Sequence, residues 1–404
     1  MVRIFRKIAL IACPSIIFIF LIAISAEAMN PVGSPPVRLL TSSPYDVFLP
    51  QISSPFKWRV IPVTPPLASI SLYMASSVDY TYSRLYQFGC ELGTRDLNFP
   101  GTQNSFVFLD FGIPKSITDG SGAIIIGVQE INSTTFHSLS EIHQAVLGYS
   151  EGYYFCSNTD NSSHVTIAIG TNNWDNQANP EEYVTYAHGA AWGNLVLDVQ
   201  ADLTSAQRNQ ITVAGASDME LGWNAPLDTR AWVDGYISSV YEPGSAGVLA
   251  NLFDIGDATG CPEDPTEYAP NQAYWYEACG AVEQPGWTAM DVVYLANRPG
   301  SKLMPMIYAH DEPVYSTTAG WLHAAQWQGL AMFNFDRYGY KLVFSGSTTE
   351  MTACNDRGIP LSDDLCATPE EGYTKLNSAL NTFPKTQTQS PLPWSTDMHW
   401  IPAP

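Results

Sequence analysis

Asp218 and Glu220 stand two residues apart just beyond the apolar run 211–216, and Trp223 follows three residues later. In a strand, residues two apart point to the same face, about 6.6 Å from each other. Two acids so placed suit cleavage of a glycosidic bond. That reaction needs one carboxyl kept protonated to assist the leaving oxygen, and a second, ionised, to attack or to stabilise the sugar cation. Neighbouring carboxylates push their proton affinities apart, which supplies both states near neutral pH. On this reading Glu220 is the acid and Asp218 the partner that tunes it. Asp110, closing the run 106–110, is the base or stabiliser. Trp223, Trp174 and Tyr308 offer ring faces on which sugars stack, and Asn172 and Glu350 add polar groups for binding. An Asp-x-Glu pair also caps helices and binds loop amides, so the motif alone does not separate catalysis from structure.

Other chemistries find less support in the sequence. His137, His143, His164, His188, His310, His323 and His399 are scattered without H-E-x-x-H spacing, so neither a metal nor a cofactor is expected. Gly215-Ala216-Ser217-Asp218-Met219 lacks the final glycine of a serine nucleophile elbow.

The elements that would position these groups alternate along the chain. Strands are expected at 106–110, 123–128, 164–169, 211–216, 248–253, 291–295, 304–308 and 341–344. Helices are expected at 139–149 with Ser138 as N-cap, at 181–196 despite Gly189 and Gly193, from Asp228, and at 273–279, 318–333 and 370–380. Strand-then-helix alternation predicts an α/β fold with a parallel sheet, and eight such units closing on themselves make a (β/α)8, TIM-like barrel. An open doubly wound sheet is the rival, but no Gly-rich phosphate fingerprint follows any strand. Acids and amides recur at the expected strand ends: Asp110, Asn172 and Asn173, Asp218, Asp254, Asn297 and Arg298, Tyr308, His310 and Asp311, and Glu350. Barrel enzymes gather their functional groups at such ends.

The 404 residues carry a formal charge of -21, from 39 acidic and 18 basic side chains. Scarce Lys and Arg argue against nucleic acid as a partner, and against electrostatic docking on anionic lipid. Residues 1–28 read as a signal peptide: Arg3, Arg6 and Lys7 precede an apolar stretch, and Ala26-Glu27-Ala28 is a cleavage site. Secretion is therefore expected, with an uncleaved N-terminal membrane anchor as the alternative. Cys90, Cys156, Cys261, Cys279, Cys354 and Cys366 form an even set suited to an oxidising compartment. Sequence does not decide their pairing. Local closure favours Cys261 with Cys279 and Cys354 with Cys366, leaving Cys90 for Cys156. Prolines at 31, 35, 36, 44, 50, 55, 62, 65 and 66 mark residues 29–81 as a Pro-rich arm or linker. The barrel is expected over 82–383, and an irregular tail over 384–404.

The run Ala214-Gly215-Ala216-Ser217-Asp218-Met219-Glu220-Leu221-Gly222-Trp223 resembles the D-x-E strand end of family 25 lysozymes. Leu109-Asp110-Phe111-Gly112 would stand where those enzymes carry a first-strand Asp. The same run is similar to the end of the D-x-x-D-x-D-x-E signature of family 18 chitinases. Ser217 and Ala216 depart from that pattern, which argues against substrate-assisted chitin cleavage. With Gly170-Thr171-Asn172-Asn173, Gly260-Cys261-Pro262 and Ala325-Gln326-Trp327, residues 85 to 380 are similar to secreted bacterial glycoside-hydrolase-like barrels. The resemblance implies the acid role for Glu220 and supporting roles for Asp218 and Asp110. The expected function is hydrolysis of a polysaccharide, with cell-wall glycan as a candidate partner. Its rivals are a non-catalytic barrel that binds glycan or another partner, and a secreted adhesive module.

Overall fold

Alternate residues of β2 (Asn104–Asp110) serve two different cores, and this division organises the molecule. Phe106 and Phe108 pack inside a ring of strands, while Val107 and Leu109 pack outward against helices. A computed structural model describes residues 64–131, 133–157, 162–173, 183–218, 225–241, 247–256, 289–307, 342–352, 367–382 and 387–400.

Eight parallel strands form the main sheet. Besides β2 they are β1 (Ser69–Tyr73), β6 (His164–Asn172), β7 (Ile211–Asp218), β8 (Leu252–Asp254), β9 (Ser301–Leu303), β10 (Gly346–Thr349) and β11 (Trp394–Trp400). Their order is β10-β11-β1-β2-β6-β7-β8-β9. The two end strands meet through parallel bridges, Leu303 with Phe344 and Met306 with Thr348. There the Leu303 amide donates to the Val343 carbonyl at 2.8 Å, and the Ile307 amide to the Thr348 carbonyl at 2.7 Å. The result is a nearly closed eight-stranded parallel barrel with helices outside, as the strand-and-helix alternation predicts at this level.

The helices are α1 (Tyr82–Asn98), α2 (Leu139–Cys156), α3 (Tyr186–Asp202), the short α4 (Ser205–Arg208), α5 (Pro226–Val240), α6 (Ala289–Ala296) and α7 (Pro369–Thr382). Ser138 caps α2 as expected. Its hydroxyl accepts from the Glu141 amide at 3.3 Å, and the Glu141 carboxylate accepts from the Ser138 amide at 2.7 Å. Cys90 on α1 is bonded to Cys156 on α2. The expected pairings among Cys261, Cys279, Cys354 and Cys366 lie outside the described residues.

Four sequence expectations need correction. The barrel begins and ends beyond 82–383: β1 lies in the expected arm and β11 in the expected tail. Neither reads as an apolar run, because Ser69, Ser71, Ser395 and Thr396 are buried polar residues. The Ser69 and Ser71 hydroxyls accept from the Phe106 and Phe108 amides at 3.2 and 2.8 Å, doing the work of ladder carbonyls. Second, the strand expected at 123–128 is real but belongs elsewhere. It is β4 (Ile124–Gln129) of an antiparallel side sheet with β3 (Ile113–Thr118) and β5 (Phe136–Ser138). Third, 291–295 is helical, within α6; a short apolar run fits a buried helix as well as a strand. Fourth, Gly189 does not weaken α3. A side chain there would strike the Trp232 backbone, so the glycine lets α3 and α5 approach closely.

His188 ties the side sheet to these helices. Its Nδ1 accepts from the Trp232 indole at 2.9 Å, and its Nε2 lies 2.8 Å from the Gly127 carbonyl. Burial pulls its pKa down to about 4, so it is neutral and donates through Nε2.

The barrel interior is filled by unequal side chains. Ala168, Gly170, Ala214 and Ala216 line β6 and β7, leaving room for large rings from the other strands. The Phe106 and Phe253 rings meet edge to face at 4.7 Å, and Trp394 lies 5.6 Å from Phe253. The half-buried Lys302 ammonium sits over both Phe253 and Trp394, closing the floor. Full burial of one such ring contributes about 2 to 3 kcal/mol.

Candidate functional site

The alternation that places Phe106 and Phe108 inside the barrel places Asp110 inside as well, at the C-terminal rim. On β6 and β7 the same face ends in Asn172 and Asp218, which are direct register partners. On β1 it ends in Tyr73, the register partner of Asp110. Beyond β10 it reaches Glu350, two residues after Thr348. Polar groups from four adjacent strands, β1, β2, β6 and β7, and from the end of β10, one strand further on, thus gather above an apolar floor.

Asp110 is completely buried. Its Oδ1 accepts from the Gly112 amide and its Oδ2 from the Asn172 side-chain amide, both at 2.8 Å. Gly112 has φ of 96°, a left-handed conformation that turns its amide back toward Asp110. The Gly112 carbonyl in turn accepts from the Asn172 amide at 3.1 Å and from the Thr171 hydroxyl. Burial pushes the Asp110 pKa up to about 7, against the opposing pull of its two donors.

Tyr73 connects the remaining acids. Its hydroxyl lies 3.3 Å from Glu350 Oε1 and 3.5 Å from Asp218 Oδ2. Asp218 is 4% exposed and Tyr73 5%, whereas Glu350 is half-buried. The sum of these distances, about 7 Å, is the upper limit on the separation of Asp218 Oδ2 and Glu350 Oε1.

Glu350 is held by an anchor on the next strand. Asp397 of β11 accepts from the Thr349 hydroxyl at 2.7 Å and from the Met351 and Thr352 amides at 2.8 Å each. The Thr352 hydroxyl adds a fourth donor at 2.5 Å. These four bonds fix the turn on which Glu350 is carried.

Of the residues that the sequence singles out, Asp110, Asn172, Asp218 and Glu350 come together on this rim. Glu220, Trp223, Trp174 and Tyr308 lie outside the described residues. Asp110 is fully enclosed and held at both oxygens, by Gly112 and by Asn172. Asp254 shares the face of Leu252, which packs outward, and so turns away from the interior. Arg298 follows a helix and not a strand; it pairs with Asp234 at 2.8 Å and stacks on Tyr294. Tyr73 and Asp397 were missed. The signal for Tyr73 was present in the Ser69, Ser71, Tyr73 alternation, masked by the surrounding prolines.

Among the described residues, no group of three His, Cys, Asp or Glu is placed to hold a metal ion, and no helix is long and apolar enough to cross a membrane. The chain matches no family model, no curated protein and no solved structure.

Proposed function

We propose that this protein is a secreted glycoside hydrolase of the (β/α)8 type that cleaves a polysaccharide, with cell-wall glycan the leading substrate class. One observation supports the reading: Asp218 and Glu350 both lie within 3.5 Å of the same Tyr73 hydroxyl at the barrel rim. Two neighbouring carboxyl groups are the pair of groups that glycoside cleavage requires, one as acid and one ionised. Asn172 and Asp110 hold the adjoining strand ends in register, and Asp397 holds Glu350. The Asp-x-Glu resemblance to family 25 lysozymes supports the same chemistry. It assigns the acid role to Glu220, and substitution separates that assignment from the pair named here.

A non-catalytic glycan-binding barrel is the second reading, favoured by the depth of Asp110 and Asp218. Incubating the secreted protein with peptidoglycan, chitin and plant polysaccharides decides between the two. Hydrolysis predicts new reducing ends from one of these; co-sedimentation with a polysaccharide without any reducing ends would establish binding alone.

A further inference from the structure

The outer side of the barrel holds a cavity of about 210 Å³, on the face of β1 opposite Tyr73. Among the described residues no helix follows β11, and the cavity lies against the seam where β11 pairs with β1. Ile70 and Leu72 of β1 and Phe88 and Leu92 of α1 form its apolar wall, and His399 of β11 stands beside Leu72. Tyr149 of α2 completes the lining. It is 1% exposed, yet its hydroxyl makes no hydrogen bond among the described residues. Buried polar atoms seldom go without a partner, so this hydroxyl is available to a ligand. Burial pushes the Tyr149 pKa up, against the pull of Arg95, so the phenol keeps its hydrogen. Arg95 and Glu91 line the same cavity, but Arg95 is paired with Asp96 at 2.7 Å and Glu91 faces water. Neither offers an ionic ligand a buried counter-charge.

We propose that this cavity binds a small neutral molecule of the phenol class, an apolar ring bearing one hydroxyl that hydrogen-bonds to Tyr149. Size fits such a ligand, since an apolar cavity of about 150 Å³ already holds benzene. The apolar wall removes the ring from water and supplies most of the affinity. The Tyr149 hydroxyl, able both to donate and to accept, selects for a ligand hydroxyl. The site is separate from the rim, because Ile70 and Leu72 point away from the barrel interior that Tyr73 faces. It therefore stands whether or not the barrel cleaves a polysaccharide.

Methyl NMR of the full secreted chain, titrated with phenol and separately with toluene, tests the site. Phenol should shift the methyl signals of Ile70, Leu72 and Leu92 in a saturable way. Tyr149→Phe removes a hydroxyl that has no partner in the free protein, so the variant should fold as the wild type does. It should weaken phenol binding by about fivefold to tenfold, the scale of one hydrogen bond, and leave toluene within about twofold. Ile70→Trp, at the exposed edge of the cavity, should fill the space and abolish the binding of both. Absence of phenol-induced shifts in the wild type would overturn the proposal. So would an unchanged phenol affinity in Tyr149→Phe, or phenol binding undiminished in Ile70→Trp.

Discussion

Asp96 and Asp110 are both completely buried, yet opposite ends of the barrel treat them differently. Near the N-terminal end of β2, Asp96 accepts from Arg95 at 2.7 and 3.0 Å, from the Ser105 hydroxyl at 2.8 Å and from the Tyr153 hydroxyl at 3.1 Å. At the C-terminal rim, Asp110 has neutral donors alone among the described residues, and its pKa climbs to about 7. One end neutralises a buried charge; the other keeps its carboxyl poised between protonation states. Such poised groups concentrate where proton transfer is needed. The contrast separates an acid neutralised by a cation from one that keeps its proton up to near neutral pH.

Removing Asp96 should therefore produce the largest loss of stability. Asp96→Ala strands Arg95 and two hydroxyls, and is expected to cost about 3 to 5 kcal/mol, read from the urea midpoint. Asp110→Asn sharpens the contrast through its pH dependence. The folded protein keeps a proton on Asp110 up to about pH 7, while the unfolded chain releases it near its ordinary value of 3.8. The stability owed to this group is complete below pH 3.8 and is lost as pH rises through 7. Asp110→Asn should flatten that decline, and an unchanged slope of stability against pH would refute the shift. Replacing Cys90 and Cys156 together by Ser should cost about 2 to 4 kcal/mol, measured by thermal unfolding without reductant. Gly152→Ala forces a methyl against the Tyr86 backbone where α1 meets α2 and should cost about 1 to 3 kcal/mol, the smallest of these effects.

Legibility in the sequence followed the same division between apolar and polar structure. β2, β6 and β7 were readable because their Phe, Val and Ile runs are long and end in Asp or Asn. Those strand ends delivered Asp110, Asn172 and Asp218 to the rim. β1 and β11 were hidden because Ser and Thr hydroxyls complete their hydrogen bonding, and hydrophobic patterning does not register such strands. Tyr73 and Asp397 were lost with them. Gly189 looked like a helix breaker because its reason for being small lies on α5, remote in the chain. The run 291–295 misled because Val-rich segments of that length carry no period of their own. Local pattern reached the acids, and tertiary neighbours determined which of them meet.

The proposed role of the rim acids as reacting groups is tested most directly by the rate of reducing-end release by Glu350→Gln on a polysaccharide that the wild type cleaves, with binding measured in parallel. The expected result is a fall of about a thousandfold with binding retained, the scale of acid–base catalysis. Release at the wild-type rate by Glu350→Gln, with Glu220→Gln alone inactive, would contradict the pairing of Asp218 with Glu350 and return the chemistry to the Asp-x-Glu motif.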